Sequence, residues 1–223
     1  MTLTWQNRFT SAIKDFSNIA FSTSFSIEDQ LITDFIATEK LPVEIFTLDT
    51  GRLPKETYDV WQSTLDKYQI KISAFYPDSE TLSEFIKAEG INPFYQSKEL
   101  RLKCCEIRKV EPLKRALKNK DLWISGLRKE HSQERSNKDF FEKDSNLNLT
   151  KFYPLLEISE EEIWKDINDK FIPFNRLYKQ GYRSIGCAPC TRAISPNEDI
   201  RAGRWWWEDS SKKECGLHNS KSN

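Results

Sequence analysis

At 223 residues, 38% of them hydrophobic and 30% charged, the chain can bury one sizeable core and carry an appended tail. Thirty-four basic residues balance 34 acidic ones, so no global field recommends nucleic acid or an anionic membrane as a partner. Only His131 and His218 are histidines, which excludes a three-histidine catalytic zinc site and leaves little room for a Ser-His-Asp mechanism.

The segment from Met1 to Arg8 is amphipathic rather than an apolar leader, and no apolar run approaches the ~20 residues that span a bilayer. The five cysteines are therefore expected in a reducing compartment, the cytoplasm by default. Metal binding or catalysis is favoured there over structural disulfides.

Residues 4–16 read as an amphipathic helix with Trp5, Phe9, Ile13 and Phe16 on one face. A short buried strand follows at 19–23, then a polar turn at 24–29 that opens a helix bearing Ile27, Leu31, Ile32, Phe35 and Ile36. A second strand, 43–48, ends in Asp49-Thr50-Gly51-Arg52. Pro54 suits the first turn of the next helix, which continues through Tyr58, Trp61 and Leu65. A third strand spans 70–75 and precedes a helix near 81–89. Residues 122–125 form the clearest later strand, and 137–150 an exposed loop or hairpin. Ser159 with Glu162 makes a capping box for a helix whose Ile163, Trp164 and Ile167 face inward. The alternation predicts an α/β fold: a mostly parallel sheet with helices on both faces. Ligands bind such sheets at the carboxyl ends of strands, which here carry the loops 24–29, 49–52 and 126–135.

Cys187-Ala188-Pro189-Cys190 alone could be a zinc knuckle, a redox dithiol or a pair of cluster ligands. The adjacent Cys104-Cys105 is more selective. Neighbouring residues struggle to aim both sulfurs at one tetrahedral ion, whereas a cubane cluster offers separate corners. Two buried small hydrophobes, or a zinc site, stay open on spacing alone. Cys215 stands apart between Lys212, Lys213 and His218, where nearby cations favour a thiolate; an incidental surface cysteine is the alternative.

The loop at 24–29 lacks glycine and is either a capped helix start or an anion site made of backbone N–H groups. Gly51 beside Arg52 suits a phosphate, or a plain turn. Cations gather near the cysteines: Arg108, Lys109, Arg128, Lys129, Arg135, Arg201 and Arg204. Trp205-Trp206-Trp207 reads as an aromatic anchor for the tail.

Together these segments resemble the assimilatory adenylyl-sulfate reductases, within the larger family of phosphoadenylyl-sulfate reductases. The matching words are Ser24-Phe25-Ser26-Ile27-Glu28-Asp29, Leu48-Asp49-Thr50-Gly51-Arg52 and Cys104-Cys105-Glu106-Ile107-Arg108-Lys109-Val110. They continue with Trp123-Ile124-Ser125-Gly126-Leu127-Arg128 and the run from Gly181 to Arg192. The last are Arg201-Ala202-Gly203-Arg204-Trp205-Trp206-Trp207-Glu208 and Lys213-Glu214-Cys215-Gly216-Leu217-His218.

The resemblance implies an adenine-nucleotide α-hydrolase-like fold, with a [4Fe–4S] cluster on Cys104, Cys105, Cys187 and Cys190. It further implies a nucleotide-binding domain over 1–192 and a mobile tail over 193–223 that carries Cys215 as nucleophile. The substrate implied is adenosine 5′-phosphosulfate, with thioredoxin or a similar dithiol protein as reductant and with no nucleic acid or membrane partner; a homo-oligomer stays open. Ser24, Phe25, Ser26, Leu48, Gly51, Arg52, Lys109, Gly126, Arg128, Arg135, Arg201 and Arg204 are the implied substrate-binding residues. Two positions depart from the family pattern: Ser26 stands where glycine is common, and Arg101 where some relatives carry histidine. The rival readings are the same reaction on the 3′-phosphorylated nucleotide, and a zinc-stabilised nucleotide-binding module.

Overall fold

The computed structural model describes residues 4–131 and 137–208. Among the described residues, six strands form one sheet in the order β3-β2-β1-β4-β6-β5: β1 Ile19–Ser22, β2 Glu44–Leu48, β3 Ser73–Phe75, β4 Leu122–Ile124, β5 Phe141–Asp144 and β6 Leu149–Phe152. All neighbours run parallel except β5, which pairs antiparallel with β6 at the edge. The stretch at 137–150 therefore includes a hairpin strand that extends the sheet.

Alternation along the strands sends side chains to two cores. Ile19, Phe21, Ile45, Leu122 and Ile124 pack on one face with α1 (Trp5–Ala12), α2 (Ile27–Thr38) and α7 (Glu160–Asp169). Ala20, Phe46 and Trp123 point the other way, onto Leu113, Ala116 and Leu117 of the helix around α6 (Glu111–Ala116) and its end. Both faces are covered, as a parallel sheet requires.

Local chemistry sets the helix starts. The Ser26 hydroxyl accepts from the Asp29 N–H to cap α2, and Ser159 with Glu162 forms the reciprocal capping box of α7. Pro54 lies one position before α3 (Lys55–Tyr68), as its cap, instead of inside the first turn. Helix α4 covers Ser79–Glu89.

A helical stretch absent from the sequence reading runs from 98 to 116. It comprises α5 (Lys98–Cys105), a π-turn over Glu106–Val110, and α6. The Glu111 N–H reaches back to the Glu106 carbonyl, and this wider turn accommodates Pro112, which has no N–H to give. Cys104 and Cys105 end the first part of this helix; Arg108 and Lys109 lie in the π-turn. No described helix is long and apolar enough to cross a membrane.

Candidate active site

The strand order reverses between β1 and β4, and a cleft opens there, at the carboxyl ends of β1, β2 and β4. It encloses about 250 Å³. One wall is the β1–α2 loop. Phe25 is buried there with φ +60°, a left-handed backbone that a bulky side chain rarely adopts and that typically costs about 1–3 kcal/mol. Its ring stacks on Trp61 at 5.4 Å, and its N–H bonds to the Thr23 hydroxyl. Strain held by packing at the mouth of a cleft is a mark of a working loop.

Asp29 forms part of the floor. Its carboxylate accepts from the N–H and hydroxyl of Ser24, each at 2.7 Å. Burial raises its pKa to about 6 despite those bonds, with Glu28 adding to the rise. Gly126, two residues beyond β4, lies so close that a Cβ there would overlap the Asp29 carboxylate and come within 3.0 Å of the Glu28 Cβ. Only glycine lets the β4 loop approach the start of α2 this closely.

Arg128 is buried beneath this floor and bound to carboxylates. Its Nε donates to Glu28 at 2.9 Å; it also pairs with Glu130 and lies 3.8 Å from Glu160. Among the described residues, the cations that line the cleft are Lys109, Arg183, Arg201 and Arg204.

Behind Lys109, Arg204 and Trp205, which line both spaces, a small cavity is lined by all four of Cys104, Cys105, Cys187 and Cys190. None of these cysteines is in a disulfide. Among the described residues, no three Cys, His, Asp or Glu side chains are gathered as a site for a single metal ion. The Thr50 hydroxyl lies 3.3 Å from the Cys187 sulfur, and the Arg108 guanidinium donates to the Thr50 carbonyl at 2.6 Å. The Ala188 N–H bonds to the Arg52 carbonyl, tying the Cys-x-x-Cys turn to the loop after β2.

Electrostatics differ among the sulfurs. Burial pushes the Cys187 thiol up, but Lys109, the Thr50 hydroxyl, Arg204 and Arg108 together outweigh it and the net shift is downward. Burial and the neighbouring Cys187 raise Cys190 to about 12, and burial likewise raises Cys104. Among the described residues, Arg204 Nε and Trp205 Nε1 are buried donors without a partner. Such donors are costly unless a ligand or group supplies an acceptor.

The chain beyond the Cys-x-x-Cys folds back on it. Thr191 bridges to Arg204, the Arg192 N–H bonds to the Gly203 carbonyl, and the Trp205 N–H to the Cys190 carbonyl. Trp205 is fully buried, with the guanidinium carbons of Arg101 and Arg204 4.5 and 4.6 Å from its ring centre. Trp207 packs on Phe94 and Tyr95, whereas Trp206 is partly exposed.

Of the residues singled out in the sequence, Ser24, Phe25, Ser26, Leu48, Lys109, Gly126, Arg201 and Arg204 line the cleft. Gly51 sits in a turn with φ +68° and is not among the lining residues. Arg52 lines the cysteine cavity instead, its guanidinium donating to the Ile91 carbonyl and the Asn92 side chain. Arg128 is held off the cleft surface by its carboxylates. Arg135 and Cys215 lie outside the described residues. The sequence reading missed Asp29, Tyr178, Arg183 and Thr50 as site residues. Tyr178 belongs to a 3₁₀ turn distant in sequence, and its hydroxyl accepts from the Ile27 N–H at the head of α2.

The cleft, its place at the switch point and the flanking helices define an adenine-nucleotide α-hydrolase-like fold. FMN adenylyltransferase from Candida glabrata shares it at a TM-score of 0.56 and 14% identity, over 99% of this chain and 73% of that one. The model of the phosphoadenosine phosphosulfate reductase domain matches residues 18–193, and the chain belongs to that family. A relative from Allochromatium vinosum, an adenosine 5′-phosphosulfate reductase, is 45% identical over 92% of this chain and 80% of its own length. Another of that name, from Neisseria meningitidis serogroup B, is 42% identical over 97% of this chain and 89% of its own. The crystal structure of phosphoadenylyl-sulfate reductase from Candida auris, a phosphate complex, superposes with a TM-score of 0.74 at 26% identity, covering 86% of this chain and 91% of that one.

Proposed function

We propose that this chain reduces adenosine 5′-phosphosulfate to sulfite and AMP, with Cys215 as nucleophile and a dithiol protein such as thioredoxin as reductant. The observation that carries the reading is the shared wall: Lys109, Arg204 and Trp205 line both the switch-point cleft and the four-cysteine cavity. Names of relatives at 42–45% identity over most of both chains support the same substrate.

In the first step the Cys215 thiolate attacks the sulfonyl sulfur. An S–S bond forms, the bond from sulfur to the bridging oxygen breaks, and that oxygen leaves with the electron pair as part of AMP. In the second step one thiol of the dithiol partner attacks the Cys215 sulfur and expels sulfite. The partner's other thiol resolves the mixed disulfide, so the dithiol supplies two electrons and is oxidised to a disulfide. A thiolate approaching an anionic sulfonyl group needs cations. Lys109, Arg201 and Arg204 are the candidates for offsetting that repulsion and the charge growing on the departing phosphate. Asp29 and Ser24 shape the floor against the nucleotide.

The donor set suits a [4Fe–4S] cluster: four cysteines outside any disulfide face one cavity, with Lys109, Arg108 and Arg204 favouring the thiolate at Cys187 and two unpartnered N–H donors close by. When bound, such a cluster would supply structural order and an electrostatic field without changing its redox state. Anaerobic purification followed by iron, sulfide and zinc assays tests this. Iron and sulfide in equal amounts are expected, and zinc alone would refute it. Turnover compared on adenosine 5′-phosphosulfate and its 3′-phosphorylated form tests the substrate; preference for the second would overturn the assignment.

A further inference from the structure

We propose that Arg101 and Glu208 form a latch that fixes the root of the Cys215 segment, making them positioning residues for delivery of the thiolate; this rests on the reading of Cys215 as nucleophile. Arg101 lies on α5, three positions before Cys104, and is 1% exposed. Its Nε and Nη2 donate to the two carboxylate oxygens of Glu208, each at 2.8 Å. The two residues are 107 positions apart, so the fork joins the cysteine-bearing helix to the end of the tryptophan run. Around it the same root is held by the Trp207 indole N–H on the Phe94 carbonyl and by the Glu208 N–H on the Trp205 carbonyl.

A buried ion pair is a poor way to add stability, because desolvating both charges offsets most of their attraction. What a two-pronged guanidinium–carboxylate contact provides, and apolar packing does not, is a fixed direction. Direction matters at this point in the chain. Cys215 follows Glu208 by seven positions. Seven residues reach at most about 25 Å, so the placement of residue 208 decides how much of that reach falls within the cleft. Arg201 and Arg204, a few residues earlier, already line it. Anchoring the root raises the effective concentration of the thiol at the substrate, and the displacement it serves is the thiolate attack written above.

Glu208→Gln in the full-length holoprotein is the direct test, because the Glu208 side chain does not line the cysteine cavity. Rapid mixing with one equivalent of adenosine 5′-phosphosulfate, followed by intact mass, should show S-sulfonated protein forming about tenfold or more slowly. Nucleotide affinity, measured in a Cys215→Ser background, should stay within about threefold. Iron and sulfide content should not change. Arg101→Lys, which keeps the charge beside Cys105 but loses the fork, should also slow the step. An unchanged sulfonation rate in Glu208→Gln overturns the latch. So does a loss of rate that is matched by equal losses of affinity and iron, since that marks a merely structural pair. If instead Cys215→Ser still forms the sulfonated protein, the nucleophile reading fails first, and the latch with it.

Discussion

The guanidinium of Arg204 occupies the space that a side chain at Gly186 would need: a Cβ there would lie 2.5 Å from Nη2 and 2.7 Å from Cζ. The residue before the Cys-x-x-Cys is thus the bed for a cation that faces the cleft. Gly186→Ala should force that cation away. Losing one charge-assisted contact to a sulfophosphate corresponds to about 1.5–3 kcal/mol, so nucleotide affinity should fall roughly tenfold to a hundredfold. Titration calorimetry with the nucleotide checks this, and iron content shows whether the cysteine turn survives. An affinity equal to wild type would mean that Arg204 does not contact the ligand.

Asp29 gives stability a pH dependence of unusual sign. Its folded pKa of about 6 lies above the ordinary 3.8, so between those values the folded protein holds a proton that the unfolded chain has lost. Its contribution is therefore favourable in acid and is lost as pH rises from about 4 to 6, by about 3 kcal/mol. Asp29→Asn should remove this slope and raise stability at pH 7 relative to wild type. Urea unfolding at pH 4.5 and pH 7 measures it. Identical pH slopes in the two proteins would show that Asp29 is not a buried acid of raised pKa.

Arg128 was expected at the substrate from its place in Trp123-Ile124-Ser125-Gly126-Leu127-Arg128, yet its guanidinium is enclosed by Glu28, Glu130 and Glu160. Arg128→Met would remove the guanidinium that the buried Glu28 carboxylate accepts from, and should cost about 3–5 kcal/mol in stability. Adding Glu28→Gln should recover part of the loss. A direct substrate role would instead lower affinity with little change in the unfolding midpoint. Denaturant melts and nucleotide binding on both variants separate the two outcomes.

The strand–helix alternation was legible because buried parallel strands and amphipathic helices leave different periods, and the Ser159–Glu162 capping box wrote one helix start directly, whereas the start of α2 was open among several capping oxygens. The helix from 98 to 116 was not legible. Adjacent cysteines, a charged middle and Pro112 break the apolar period there, and the π-turn that absorbs the proline has no simple sequence signature. In the site, residue type and spacing marked out the two cysteine pairs and the loops at strand ends, while the reading of the pairs as one ligand set rested on the family resemblance. Arg128's capture by Glu28, and the fork between Arg101 and Glu208, join residues 100 and 107 positions apart and exist only once the sheet has brought them together.

In the proposed reaction, the SO₃ group of a nucleotide held beside the cysteine cavity passes to Cys215. Intact-mass spectrometry of the reductant-free protein after mixing with adenosine 5′-phosphosulfate reads it directly. One SO₃ group should be added per chain, with AMP released in equal amount, and the adduct should vanish in Cys215→Ser and discharge as sulfite when a reduced dithiol protein is added. An adduct that persists in Cys215→Ser, or sulfite released with no adduct ever forming, would contradict sulfur transfer to Cys215.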